Sequence, residues 1–338
     1  MTINSKREYL DLIVLLILII VATIISHSFS VDSKNYKEAI EVYNETSWRF
    51  FFQQLREFEL FHLIVAKLLP LDTPIIYFSI IATLSLTLKL YLFKKTSRSF
   101  ELSLLFYLAY FFVLLDGTQV RVSIAISIAF WGIFFLSKNR SIIAAALIAA
   151  AALFFHYSIF FLFIVFFIRK KEITKYIIFS WFILMAVWLL GVNYLAFFKM
   201  LLSYIDPDFF GVSKIKIYLQ RIDPNSAPYS LQFLLLFFSS ICVYNRYKNV
   251  LNDFEVICFN LVFFSFIILV IFTGESVLQN RLSEIYRFGI VFIFPLYYKF
   301  ILDITHRDWL TKAIIATLLI GYFFYYVVLA GLIVIPNQ

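Results

Sequence analysis

The chain has 338 residues, of which 62% are hydrophobic and 43 are phenylalanine. Soluble domains are about 45–50% apolar, so this composition excludes a soluble fold and is typical of a membrane protein. The net charge of +8 does not indicate nucleic acid as a partner, because the basic residues cluster at the ends of apolar runs, where the orientation bias of membrane helices accounts for them.

The first apolar run, Tyr9–Phe29, follows Lys6 and Arg7 and is long enough to cross a bilayer. It lacks the small-residue cleavage site that ends a signal peptide. We therefore predict that it remains as a membrane anchor and that the N-terminus is cytoplasmic.

Basic clusters in short loops give each later run a direction, because such clusters remain in the cytoplasm. We predict one all-α polytopic transmembrane domain, residues 1–338, with about 11 transmembrane helices and with external segments at 30–72 and 199–228. The short run Phe58–Leu69 ends at Pro70 and is predicted to be an interfacial or re-entrant helix. Apart from the hairpin described next, the predicted crossings are Tyr9–Phe29, Thr73–Phe93, Phe100–Leu115, Gln119–Leu136, Ile173–Phe198, Tyr229–Tyr244, Phe254–Thr273, Glu284–Leu302 and Leu310–Ile335.

An uncharged run between Arg140 and Arg169 has a single imidazole, His156, near its middle. Because both ends of the run are basic, both are expected in the cytoplasm, and the run is predicted to form a helical hairpin that turns at His156. An ionisable ring near the outer surface of the membrane is a candidate functional group. The alternative is a turn histidine that hydrogen-bonds a helix-end carbonyl.

Arginines are predicted at membrane depth in two other places. Arg121 follows a predicted turn at Asp116–Gln119, and it must face a polar cavity, an anion or the interface, where it can snorkel. Arg281, Glu284 and Arg287 follow one another at spacings of three, so the glutamate can form a structural ion pair with either arginine. The remaining positive charge indicates an anionic partner, and a lipid-linked pyrophosphate meets this need.

Five segments, taken in order, resemble the EpsG-type polysaccharide polymerases, a branch of the Wzy polymerases of O-antigen and capsule. No single motif is specific, and the likeness depends on their order and spacing over most of the chain. One departure is Leu60, which stands where the family often has proline after the glutamate. The segments are Asp32-x-x-x-Tyr36; Phe58-Glu59-Leu60-Phe61; Gln119-Val120-Arg121 with Ser123, Ala125 and Ala129; Phe155-His156-Tyr157-Ser158; and Asn280-Arg281-Leu282 with Tyr286.

This resemblance implies a membrane-embedded glycosyltransferase with a GT-C-like fold. It would join undecaprenyl-pyrophosphate-linked repeat units into O-antigen, capsule or exopolysaccharide at the outer face of the bacterial inner membrane. Donor and acceptor would both be lipid-linked glycans, and the reaction would need no metal and no cofactor. Membrane lipids and a chain-length regulator protein are the other partners that it implies.

The same resemblance assigns roles to the candidate residues. Arg121 and Arg281 are expected to clamp the pyrophosphate, because arginine stabilises a departing phosphate without a metal. His156 is expected to act as the base or as a hydrogen-bond donor to the acceptor, since histidine titrates near pH ~6.5. The expected catalytic residues are His156, Arg121, Arg281 and Glu59, and the expected substrate-binding residues are Arg287, Glu284, Tyr286, Tyr157 and Gln119, with Glu59 and Glu284 as rival bases.

Two other classes of protein would also use buried cationic groups. A flippase or transporter of lipid-linked sugars needs arginines that face pyrophosphate, but it is expected to show internal duplication and a midplane site, neither of which the sequence indicates. A membrane acyltransferase that modifies surface glycans also needs a buried histidine, but its acyl donor would arrive from the cytoplasmic side.

Overall fold

The computed structural model describes residues 3–45, 59–69, 74–204 and 230–325, together with residues 327 and 332. The regular elements within these ranges are helical, which confirms the all-α prediction. Parts of the two predicted external segments, residues 46–58, 70–73 and 205–229, lie outside the described residues. The α-helices are α1 (Ile3–Ile24), α2 (Ser33–Glu45), α3 (Leu60–Leu68), α4 (Pro74–Thr96), α5 (Phe100–Tyr110), α6 (Val120–Ser137), α7 (Ser141–Ala150), α8 (Val165–Ile168), α9 (Thr174–Leu189), α10 (Tyr194–Ser203), α11 (Leu231–Tyr247), α12 (Asp253–Ile271), α13 (Ser276–Arg287), α14 (Ile290–Thr305) and α15 (Asp308–Phe324).

Several of these helices are long and apolar enough to cross a bilayer, so the chain is a polytopic membrane protein. Within the described residues there are 5 such helices, or up to 7 if each of two bent pairs is one crossing. The larger number of crossings that the sequence suggests stays a prediction. The helices that pass by themselves are Glu8–Phe29, Pro74–Thr96, Val120–Ser137, Lys171–Leu189 and Asp253–Ile271.

The chain divides into two compact units. The first consists of Met1–Gly132, Ile142–Phe160 and Ile301–Gln338, and the second consists of Ile133–Ser141 and Phe161–Phe300.

In the first unit, α1 and α4 pack side by side in opposite directions. Asp11 near the start of α1 forms an ion pair with Lys94 near the end of α4. At the other end of the pair, the ring of His27 lies 5.9 Å from the ring of Phe78. The antiparallel course that the basic clusters predict for these two helices is therefore confirmed.

The polar segment after α1 contains two short helices that pack on each other. One face of α2, formed by Tyr36, Ile40 and Tyr43, is buried in a cluster with Leu63 and Ala66 of α3. Because α3 has only 9 residues, it rises about 14 Å, which is too short to cross a bilayer. The prediction of a short, non-spanning helix at this position is confirmed.

The predicted turn at Asp116–Gln119 is wrong. After α5 the chain forms a π-helical segment, Phe112–Thr118, which is bent by 66° from α5. Asp116 lies inside this segment and is only 2% exposed. The reason is that its carboxylate is bound to buried donors, which keep this stretch inside the bundle rather than at its surface.

The helix break predicted at His156 is confirmed. A π-helical segment, Ala151–Phe155, continues α7, and His156 then adopts an extended backbone before the 3-10 helix Tyr157–Ile164. On α7, the alanine-rich face packs closely: a Cβ on Gly132 would lie 3.0 Å from the carbonyl oxygen of Ala144. The outward direction of the hairpin stays a prediction.

The second unit is built around α12, which is buried on nearly every side. Asn260 of α12 binds the connection between α8 and α9. Its side-chain N–H donates to the Ile168 carbonyl, and its side-chain oxygen accepts from Thr174 Oγ1 at 2.6 Å. Trp181 of α9 packs on Phe237 of α11, with ring centroids 3.9 Å apart.

Two predicted crossings in this unit have wrong boundaries. The crossing Ile173–Phe198 is divided, because α9 ends at Leu189 and Gly191 takes a positive φ of 88° that terminates the helix. The predicted crossing Glu284–Leu302 falls on two helices instead of one. The first, α13, begins at Ser276 with Glu275 as its N-cap, and α14 is bent by 68° from α13.

Gly289 at that second bend gives a testable consequence. A Cβ on Gly289 would lie 3.0 Å from the backbone oxygen of Cys258 on α12, whereas a Cβ on Gly321 of α15 would meet nothing within 4 Å. Gly289→Ala should therefore lower stability by about 1–3 kcal/mol, because backbone atoms cannot move aside easily. Gly321→Ala should leave it equal or slightly higher, because alanine favours a helix. Thermal unfolding of the two variants in detergent tests this, and equal melting temperatures would contradict it.

Candidate functional site

Arg121 is paired with a carboxylate in the first unit. It is the second residue of α6. Its guanidinium Nη1 lies 2.8 Å from Oε2 of Glu59, the residue that precedes α3. A positive charge at a helix N-terminus is unfavourable, so the arginine needs an anion here. The anion that the sequence requires beside Arg121 is therefore, in this structure, Glu59.

The two partners are buried to different extents. The Glu59 side chain is 2% exposed, whereas that of Arg121 is 22% exposed. Glu59 occupies the N-cap position of α3, where an acidic side chain usually binds backbone N–H groups, but it does not cap this helix. Its carboxylate is directed to the arginine instead, so the site holds a buried anion beside a partly exposed arginine.

Tyr36 of α2 forms the third side of this pair. The Arg121 guanidinium carbon lies 5.5 Å from the centre of the Tyr36 ring, within the range of a cation–π contact. Arg121 Nε also donates to Tyr36 Oη at 3.5 Å. Burial raises the pKa of Tyr36, so this hydroxyl keeps its proton. Tyr36 belongs to the first segment of the resemblance, and the structure places it against the arginine of the third.

His62 is a site residue that the sequence analysis missed. It lies one turn after Glu59 on α3, and its Nδ1 accepts a hydrogen bond from Tyr77 Oη at 2.7 Å. Its Nε2 donates to the carbonyl oxygen of Phe155 at 3.2 Å. Burial lowers the pKa of His62 to about 3, so the ring is neutral throughout the physiological range. His62 therefore connects the glutamate-bearing helix to the helix break that carries His156.

His156 itself is half-buried and hydrogen-bonded to Ser158. Its Nδ1 accepts from the backbone N–H of Ser158 at 3.3 Å and lies 2.7 Å from the Ser158 hydroxyl. Because a backbone N–H can only donate, Nδ1 is the acceptor and the proton of the neutral ring resides on Nε2. In this form Nε2 can donate a hydrogen bond but cannot take up a proton.

A small cavity lies behind the cluster, against Tyr36, His62 and Tyr77. Its volume of about 10 Å³ is close to the minimum that one water molecule needs. A cavity of this size cannot hold a ligand larger than water.

The second unit contains the other predicted site residues, all on α13. Glu284, Tyr286 and Arg287 are buried, and Arg281 is half-buried. Tyr286 Oη donates to the carbonyl oxygen of Phe161 at 2.6 Å. Arg287 donates to Ser283 Oγ at 3.1 Å and lies over the ring of Phe233, 4.3 Å from its centre.

The structure thus groups the predicted residues into two sets. The first unit holds Glu59 and Arg121 in direct contact, and it also holds His156, Tyr157 and Gln119. Tyr157 follows His156, and the half-buried Gln119 precedes α6, where its carbonyl accepts from the Ser123 N–H at 2.9 Å. The second unit holds Arg281, Glu284, Tyr286 and Arg287.

Another buried ion pair in the first unit was also missed. Lys89 of α4 and Asp116 of the π-helical segment lie 2.7 Å apart, and each side chain is 1% exposed. A sequence signal for Lys89 exists: Ser85 and Lys89 are four residues apart on the same face of an apolar helix, and such a lysine needs a buried partner. Among the residues that the structure describes, no three His, Cys, Asp or Glu side chains converge as a metal-binding group.

Comparison with known proteins identifies the family. No curated protein and no solved structure matches the chain. The sequence pattern of the EpsG family, however, matches residues 9–336, which is nearly the whole chain. The resemblance seen in the five short segments is thereby confirmed, and the chain belongs to the EpsG family.

Proposed function

We propose that this protein polymerises lipid-linked oligosaccharide repeat units by glycosyl transfer. The growing glycan moves from its undecaprenyl pyrophosphate carrier to a hydroxyl of the next lipid-linked unit, at the outer face of the bacterial inner membrane. The product is O-antigen, capsule or exopolysaccharide, and the fold is a GT-C-like bundle of about 11 crossings. Membership of the EpsG family supports a polysaccharide polymerase in general.

The observation that carries this proposal is the contact between Glu59 and Arg121. Arg121 keeps a fifth of its side chain exposed while it neutralises a buried carboxylate. A diphosphate presents more acceptor oxygens than one carboxylate and binds a guanidinium bidentately. When the donor binds, Arg121 shifts its hydrogen bonds toward the phosphate oxygens, and Glu59 loses part of its counter-charge.

This exchange prepares both halves of a glycosyl transfer. Arg121 stabilises the negative charge that develops on the departing pyrophosphate. A carboxylate that has lost its counter-charge in a buried place binds a proton more readily, so Glu59 can take the proton of the acceptor hydroxyl. The sugar C1–O bond to the pyrophosphate breaks, the bond to the acceptor oxygen forms, and the proton passes to Glu59.

His156 then acts as a hydrogen-bond donor. Its Nε2 carries the proton in the tautomer that the Ser158 N–H selects. The proposed partner of this N–H group is a polar group of the acceptor or a phosphate oxygen. Gln119 and Tyr157 lie next to Arg121 and His156 along the chain and complete the substrate contacts on this unit.

In the second unit, Arg281 is the proposed second pyrophosphate clamp. It is half-buried, whereas Tyr286 and Arg287 on the same helix are buried and held by internal contacts. Glu284 is retained as the rival base on this helix. Arg281→Ala is expected to weaken binding of the lipid-linked donor and so to raise the KM for that donor.

The Glu59–Arg121 ion pair can be tested directly. With purified protein and lipid-linked repeat units, Arg121→Ala and Glu59→Gln should each slow the appearance of longer lipid-linked glycans by about 100- to 1,000-fold, because each removes a charge that the transition state requires. The matched control is Asp11→Asn, which breaks the partly exposed pair with Lys94 and should change the rate little.

A charge swap separates this role from a structural one. If the pair only holds helices together, Glu59→Arg combined with Arg121→Glu restores both folding and lengthening. The proposal expects the swap to restore folding, measured by thermal unfolding, but not lengthening. Movement of the lipid-linked unit across the membrane without lengthening would indicate a flippase, and incorporation of an acyl group would indicate an acyltransferase.

The role of His156 can be tested by two substitutions. His156→Gln keeps an N–H donor and should retain much more activity than His156→Ala, which loses the donor. If His156 were the base, neither variant could replace it, and both would lose activity equally. With His156 as donor, the two variants should differ in rate but share the pH profile of the native protein. His62→Gln serves as the control, because a ring with a pKa of about 3 cannot cause a change near neutrality. An acid limb near pH ~6.5 that disappears equally in both His156 variants would establish a base instead.

A further inference from the structure

The Lys89–Asp116 ion pair lies inside a polar network among apolar helices. The network joins α4, α5, the π-helical segment and α6, and each of its side chains is almost completely buried. Lys89 Nζ donates to Asp116 Oδ2 at 2.7 Å, to Ser85 Oγ at 2.9 Å and also to Ser123 Oγ. It also lies 5.4 Å from the centre of the Tyr107 ring.

Both charged groups use their full bonding capacity. Asp116 Oδ1 accepts from Ser85 at 2.7 Å and from Ser123 at 2.6 Å, and Oδ2 accepts from Lys89 and from the Tyr107 hydroxyl. A lysine has three protons, and Asp116, Ser85 and Ser123 accept them. A buried pair that is satisfied in this way holds one geometry, because any displacement would leave a charge unbound in an apolar place.

The network determines how α6 is rotated about its axis. Ser123 contacts both charged groups, and Ser127, one turn later, donates to the Ser85 carbonyl at 3.2 Å. Ser123 and Arg121 are two residues apart, so they lie on nearly opposite faces of the helix. Holding the serine face against Lys89 and Asp116 therefore directs the arginine face toward Tyr36 and Glu59.

The network also determines where α6 begins. Asp116 belongs to the π-helical segment that ends at Thr118, and α6 begins two residues later. Its carboxylate binds that segment to α4 on one side and to α6 on the other. The first turn of α6, which carries Arg121, is thus fixed from both ends.

We propose that Lys89 and Asp116 are positioning residues that hold Arg121 against Glu59 through Ser123 and the start of α6. This inference rests on the proposed function, because it assigns a consequence for lengthening to a pair that does not touch the Glu59–Arg121 pair. It gives the buried pair a role beyond binding helices together.

The test begins with variants that are mild enough to fold. Ser123→Ala removes the hydroxyl that joins α6 to the pair, and a misplacement of about 1 Å at a reacting group slows lengthening by about 10- to 100-fold. Ser123→Thr keeps a hydroxyl and should recover most of the rate. The matched control is Ser265→Ala, a completely buried serine whose hydroxyl donates to the Val262 carbonyl on its own helix, and it should be close to the native rate.

A double-mutant cycle shows whether the effect passes through Arg121. In a background that already carries Arg121→Ala, adding Ser123→Ala should cause no further loss, because groups that act as a unit are not additive. An equal further loss in that background would overturn the proposal. So would native lengthening by the double variant Lys89→Met/Asp116→Asn, which removes both charges together.

A readout that does not depend on activity separates this proposal from the proposed function. Hydrogen–deuterium exchange of the amides of residues 123–127 should become roughly tenfold faster in Ser123→Ala and in Lys89→Met/Asp116→Asn, because the start of α6 opens more easily. Ser265→Ala should not change it. If the native protein makes no polymer, the proposed function fails, and the exchange result still decides the positioning. Unchanged exchange in both variants would overturn the positioning whatever the activity.

Discussion

The ion pair between Glu59 and Arg121 is the contact on which the candidate site depends. An arginine keeps its charge even where water is scarce, so α6 can begin inside the protein only if an anion meets its first turn. The anion comes from α3, a helix too short to cross the membrane, and Tyr36 of α2 covers the guanidinium. One charge requirement thus brings three separate segments together. Loss of Arg121 would remove the counter-charge of the buried Glu59 carboxylate, which costs about 3–5 kcal/mol in comparable cases.

The first unit contains a second buried ion pair, and the two differ in a way that bears on function. Lys89 and Asp116 are each 1% exposed and are surrounded by hydroxyls of the protein. The Arg121 side chain is 22% exposed, so a ligand can approach it without breaking the fold. A completely enclosed pair can only hold a geometry, whereas a pair with one accessible member can exchange its partner. The Lys89–Asp116 pair therefore suits a positioning role, and the Glu59–Arg121 pair suits a chemical one.

The sequence predicts those features that depend on local chemistry. Composition indicates the membrane, the basic clusters give the antiparallel course of α1 and α4, and the lone His156 in an uncharged run marks the helix break. Contacts between distant residues were missed. Lys89 and Asp116 are separated by 27 residues. A turn was predicted at Asp116 because the stretch is polar, whereas the Asp116 carboxylate is hydrogen-bonded inside the bundle. His62 was missed because its partners, Tyr77 and the Phe155 carbonyl, come from other helices.

The role of His156 shows what only a structure can add to a sequence motif. A histidine near the outer surface can be a base or a donor, and its position in the chain does not distinguish the two. The distinction depends on one backbone N–H, that of Ser158, which occupies Nδ1 and places the proton on Nε2. In this tautomer Nε2 donates a hydrogen bond, and the lone pair of the ring is directed at Ser158. The proposed base is therefore another group, the Glu59 carboxylate, which faces Arg121 in the same unit. In the proposed mechanism, Glu59 is the base and His156 the donor, and the hydrogen bond from His62 to the Phe155 carbonyl joins the segments that carry them.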